Sequence, residues 1–233
     1  MEGAEKMKRG QRWSLRHMIA LVTGGTKGIG SLSLSVSHFH SVLRVIVEEL
    51  AGLGASVYTC TLDEGELNQC LHECKAMGLD IHGLVCDLSL RPNRKKLIET
   101  VSAHFKLKLN ILVNNVGTNI SKPTVEYTAE DLSFVMETNF GSAYHMCQLS
   151  HPLLEASGVG SIVFISSVCG VVGVDVGTPY AASKGALNQI TKNLACDWAK
   201  DNICTNSVSP WFVRTQLVKK LLTNREKLES VVA

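Results

Sequence analysis

Tyr180 and Lys184 stand four positions apart in the stretch Thr178-Pro179-Tyr180-Ala181-Ala182-Ser183-Lys184-Gly185. In a segment that reads as helix, that spacing puts both side chains on one face. An ammonium beside a phenol favours the phenolate, so Lys184 is expected to pull Tyr180 down from its usual value of about 10. A tyrosine tuned that way suits proton transfer. Taken alone the pair also fits an exposed helical tyrosine beside a solvated lysine, and its weight depends on what lies upstream.

Upstream, Thr23-Gly24-Gly25-Thr26-Lys27-Gly28-Ile29-Gly30 directly follows the first apolar run. Gly24, Gly28 and Gly30 permit a tight turn and a close backbone approach to a pyrophosphate, which a following helix N-terminus stabilises. Lys27 adds a cation where an adenosine 2′-phosphate would lie. An acidic residue at the tip of the second strand would bind a ribose diol and indicate NAD. That tip reads Thr59-Cys60-Thr61-Leu62, and Asp63 comes late enough to be a helix N-cap instead. The cofactor expected is therefore NADP(H) rather than NAD(H).

The elements that must position these residues alternate along the chain. Short apolar runs at 18–23, 55–60, 81–86, 109–114, 161–166 and 204–208 read as buried strands. Helical patterns fall between them at about 45–53, 64–77, 91–105, 129–150 and 181–200. Strands without strict alternation, spaced by helices, predict an α/β fold: one doubly wound Rossmann-type parallel sheet with helices on both faces. With no internal repeat and no linker, residues 1–233 are expected to form one dinucleotide-binding catalytic domain.

Composition limits the alternatives. Of the 233 residues 45% are apolar and 19% charged, which suits a chain with a substantial core. A net charge of +2 gives no electrostatic case for nucleic acid or an acidic membrane as partner. The N-terminus lacks the apolar run of a signal peptide, and no apolar run reaches bilayer length. The eight cysteines lack C-x-x-C spacing and are expected to be reduced thiols in the cytoplasm. In Cys70-Leu71-His72-Glu73-Cys74 a helix would turn His72 away from the face the two cysteines share, so no metal site is expected there. His38-Phe39-His40 carries no better case.

Taken in order, the 23–30 loop, Asn114-Asn115-Val116-Gly117, Asn139, Ser167, Tyr180 and Lys184 resemble the short-chain dehydrogenases/reductases. Residues 12–15, 114–119 and 209–212 are similar to the plant tropinone reductase-like branch. The resemblance covers residues 12–30 and about 46–222. It implies that Tyr180 protonates a carbonyl oxygen as hydride arrives, that Lys184 assists it and bonds the nicotinamide ribose, and that Ser167 holds the substrate oxygen. Asn139 would sit mid-helix and bind a water that continues the proton path. Gly24, Thr26, Lys27, Gly28, Ile29 and Gly30 would cradle the pyrophosphate, and Asp87 would meet the adenine amino group. Asn115, Val116 and Gly117 would line the adenosine side, and Pro210, Val213 and Thr215 would pass beside the nicotinamide. The implied partner is a small carbonyl or alcohol substrate, and a homo-oligomer is usual for the family.

Against that pattern two stretches depart. Residues 31–44 alternate serine with apolar residues at a period of two, which suits a strand where a helix should begin. Relatives also continue beyond the end of this chain with a further strand, so the sheet is expected to lack its usual last member. The expected activity is an NADP(H)-dependent interconversion of a small, cyclic ketone and a secondary alcohol. The alternative from a different class is a catalytically silent isoform that acts as a binding or regulatory subunit.

Overall fold

The computed structural model describes residues 13–24 and 42–211. Six parallel strands form one sheet: β1 Ile19–Thr23, β2 Ser56–Thr61, β3 Ile81–Val85, β4 Ile111–Asn114, β5 Gly160–Ile165 and β6 Ile203–Val208. Their spatial order is β3-β2-β1-β4-β5-β6, so the chain starts in the middle and reverses direction across the sheet between β1 and β4. In doubly wound sheets the crevice outside the strand carboxyl ends at such a reversal is where ligands bind.

Helices cover both faces, as apolar strands without alternation require. They are α1 Val42–Gly52, α2 Glu64–Ala76, α3 Arg91–His104, α4 Ala129–Met136, α5 Ser142–Ser157 and α6 Thr178–Asp197. Successive strand residues point to opposite faces, which splits the core in two. Ala20, Val22, Val57 and Val113 meet Val47 and Ala51 of α1 on one side. Leu21, Leu112, Ile162 and Phe164 meet Leu97 of α3, Met146 and Leu154 of α5 and Leu187 of α6 on the other.

Two expectations change. The helix expected over 129–150 is divided by a five-residue π turn, Glu137–Gly141, and then runs on to Ser157 despite Pro152. It stops where Gly158 takes a left-handed backbone at φ 74°. Of the stretch expected to behave as a strand, residues 42–44 are helical, and 31–41 lie outside the described residues. Arg44 explains the helix locally: its guanidinium pairs with Glu48 one turn on, at 2.6 Å, and with Glu73 of α2. Among the described residues no helix is long and apolar enough to cross a membrane. None of their His, Cys, Asp and Glu side chains form a group of three or more that could hold a metal.

Candidate active site

Three strand ends build the site. At the tip of β1 the backbone turns at Gly24, with φ 85°, and a Cβ there would lie 2.9 Å from Val116 Cγ2. Glycine is therefore required both by conformation and by room. Asn115, just past β4, laces the two strand ends together. Its N–H donates to Thr23 Oγ1 (3.2 Å), and its Nδ2 to the carbonyls of Thr23 and Gly24 (3.4 Å each). This lacing lies at the sheet reversal, where an extended dinucleotide would cross.

The third strand end is that of β5, followed by Ser166, Ser167 and a 3-10 turn, Val168–Gly170. The serines divide the work. Ser166 Oγ is buried and donates to the Lys184 carbonyl at 3.0 Å, which seats α6 on the end of β5. Ser167 accepts from the Cys169 N–H at 3.3 Å, and its hydroxyl neighbours the Tyr180 phenol. The two hydroxyls named by the resemblance thus meet, on the same side of the sheet.

Tyr180 and Lys184 share a face of α6 as their spacing predicts, yet their electrostatics differ from expectation. Burial pushes the Tyr180 phenol above its ordinary value, and the neighbouring Ser167 hydroxyl pulls it only part of the way back. Lys184 does not lower it. Its Nζ donates to the Ile165 carbonyl at 2.7 Å and stands 5.6 Å from the Tyr180 ring centroid. Burial pushes the lysine itself down to about 8. The site therefore holds a protonated phenol next to an amine that gives up its own proton readily.

Asn139 lies inside the π turn and is fully buried, not turned to solvent. Its Oδ1 accepts from the Thr118 N–H (2.7 Å), and its Nδ2 donates to the Thr118 carbonyl (2.9 Å) and to Ser183 Oγ (2.9 Å). Ser183 Oγ in turn donates to the Tyr180 carbonyl at 2.7 Å. A Cβ on Gly117 would sit 3.5 Å from both Asn139 Oδ1 and Lys184 Nζ, so these three residues converge.

The remaining sequence candidates are distributed around this centre. Asp87, after β3, spends Oδ1 on the Ser89 N–H and hydroxyl, at 2.8 and 2.7 Å, and so caps its own turn. Asp63 is the N-cap of α2, accepting from the Glu66 N–H at 2.9 Å, so the tip of β2 carries no acid toward the crevice. The Pro210 carbonyl accepts from the Val168 N–H at 3.1 Å, which brings the segment after β6 against the turn that follows Ser167. Thr26, Lys27, Gly28, Ile29, Gly30, Val213 and Thr215 lie outside the described residues.

Sequence reasoning missed Ser183 and Arg94. Ser183 sits within the Tyr–Lys interval and has no periodicity of its own. Arg94 had a readable signal: it occupies the apolar stripe of α3 with Leu97, Ile98 and Val101, at helical spacing.

Comparison with known proteins places the chain. The short chain dehydrogenase profile matches residues 18–226, and the chain belongs to that family of oxidoreductases, whose members bind a nicotinamide cofactor. It is 55% identical to a tropinone reductase homolog of Arabidopsis thaliana over 97% of this chain and 81% of that one. A tropinone reductase homolog of Datura stramonium is 47% identical over 100% of this chain and 83% of its own length. Among solved structures, gox2181 superposes with a TM-score of 0.84 at 25% identity, covering 95% of this chain and 82% of that one. The NADP active-site complex of Pseudomonas aeruginosa RhlG gives 0.80 at 27% identity, covering 94% and 81%.

Proposed function

We propose that the protein is an NADP(H)-dependent reductase that interconverts a small, cyclic ketone and its secondary alcohol. The observation that carries this reading is the meeting of Ser167 and Tyr180 at the carboxyl end of β5, with Lys184, Gly117 and Asn139 converging beside them.

The residues at the crevice suit a dinucleotide. Gly24 makes the close turn at the tip of β1, Asn115 holds the two strand ends at the reversal, and Lys184 supplies a buried amine for the ribose. The nicotinamide, when bound, supplies the hydride. Ser167 holds the ketone oxygen by its hydroxyl. Tyr180, kept protonated by its burial, gives that oxygen its proton, and the phenolate left behind is recharged through Lys184. NADP(H) is favoured over NAD(H) by the missing acid at the tip of β2 and by Lys27. Solved relatives described as NADP complexes agree with that preference. The eight free cysteines suit a reducing compartment, and we place the protein in the cytoplasm, although one relative at 53% identity is described as chloroplastic.

The test follows nicotinamide fluorescence while the purified protein is titrated with NADPH and NADH, and then turnover of cyclic ketones. NADPH is expected to bind at micromolar concentration and more tightly than NADH. Tyr180→Phe should keep that binding and lose turnover by at least about 10²-fold. Failure of both nucleotides to bind at millimolar concentration would leave the silent isoform as the better reading.

A further inference from the structure

Arg94 is 0% exposed, and a charge taken wholly out of water is costly unless every donor is used. Here the donors are spent across two separate elements. Nε donates to the Leu88 carbonyl (2.6 Å) and Nη2 to the Ser89 carbonyl (2.9 Å), both in the loop after β3. Nη2 also meets Glu137 Oε1 at 2.7 Å, and Nη1 reaches the Gly141 carbonyl at 3.4 Å. Glu137 and Gly141 are the first and last residues of the π turn.

A π turn leaves carbonyls out of step with the helical ladder, and these need donors from elsewhere. Ser142 Oγ supplies one to the Thr138 carbonyl at 2.6 Å, and Arg94 supplies one to Gly141. The glycine matters as well. A Cβ at 141 would collide with the Glu137 carboxylate, so its absence lets that side chain fold back over the turn toward Arg94. Between the two clasped ends lies Asn139, whose side chain grips the backbone of Thr118 and, through Ser183, the turn of α6 that bears Tyr180.

We propose that Arg94 is a positioning residue: with Glu137 it clasps the π turn to the loop after β3, and it thereby fixes Asn139 and the α6 turn that carries Tyr180. The catalytic consequence rests on the reductase reading above; the clasp itself does not. Glu137 has a half-exposed side chain and borders an open cavity of about 580 Å³, so Glu137→Gln is accommodated without disturbing the core. Arg94→Lys keeps the charge but removes the planar fork that reaches both elements.

The experiment measures amide hydrogen exchange by NMR on both variants without cofactor, and steady-state kinetics on both. The Thr118 amide reports directly, because it is the donor held by Asn139 Oδ1. Each variant is expected to speed its exchange by about tenfold while amides of β1 keep wild-type rates. The kcat should fall by about tenfold with KM values within about twofold, the pattern of a displaced reacting group rather than lost binding. Unchanged Thr118 protection would overturn the proposal. So would equal acceleration of Thr118 and the β1 amides, which would mean a purely structural arginine. If the wild-type chain turned over no ketone, the reductase reading would fall, and the exchange data alone would decide the clasp.

Discussion

Lys184 is the residue at which burial and charge compete most directly. It is 4% exposed, and its folded-state value is pushed down to about 8 from the usual 10.5. Below pH 8 the ammonium is present in both folded and unfolded chains, and folding carries the full cost of burying it. Between about 8 and 10.5 the unfolded chain binds more protons than the folded one, so stability rises with pH across that window. The relief amounts to roughly 3 kcal/mol by the top of the window. Lys184→Met removes the titrating group. Urea unfolding of both proteins at pH 7.5 and at about pH 10 should show the wild type gaining on the variant as pH increases. A constant difference would mean that the amine is not desolvated. Tyr180 is pushed the opposite way, upward, by its own burial.

At the scale of elements, the candidate site depends on how closely the 3-10 turn after Ser167 lies on α6. A Cβ at Gly170 would stand 2.6 Å from the Lys184 carbonyl carbon and 2.7 Å from the Gly185 nitrogen. Both are backbone atoms of a helix and cannot swing aside. Gly170→Ala is expected to push the turn off α6, separate Ser167 from Tyr180, cost about 1–3 kcal/mol, and lower turnover by about 10²-fold. Gly173→Ala is the control, since nothing lies within 4 Å of a Cβ there. Equal losses in the two variants, measured by thermal unfolding and initial rates, would reject the close packing as the cause.

Much of this layout was legible in the residues. The six strands fall within a few positions of the runs that predict them: β1, β4 and most of β5 are near-continuous apolar stretches of the kind buried parallel strands carry, and β2, β3 and β6 keep enough apolar and β-branched residues to follow. The shared face of Tyr180 and Lys184 followed from the one helical turn between them, while the place of Ser167 beside them was carried by the family resemblance and not by spacing. The π turn was not legible. Residues 129–157 keep helical periodicity through Asn139, and the donor that reaches the turn's last carbonyl, Arg94, comes from α3. Local pattern does not encode a donor that arrives from another helix. The direction of the Tyr180 shift was missed for a related reason. Spacing places the lysine near the phenol, but only the packed structure turns Nζ toward Ile165 and strips water from both groups.

For the whole molecule, the two-sided core settles where its sulfur goes. Cys60, Cys70, Cys74, Cys86, Cys147 and Cys169 are buried, while Cys196 and Cys204 are exposed. Burial pushes Cys60, Cys74 and Cys147 up to about 12, so almost none of these groups is thiolate at neutral pH. A native-state titration with a chromogenic disulfide reagent should therefore register two fast thiols, and all eight only after denaturant is added. A third fast thiol would place one of the six nearer the surface than the packing allows.

That distribution turns the sulfurs into built-in recorders of breathing. A peroxide reaching Cys60, Cys70, Cys74 or Cys147 must wait for a strand or helix to part from the sheet, whereas Cys86 and Cys169 need only their loop or turn to lift, so the order in which the six become sulfinated would chart the sequence of openings without any label being attached.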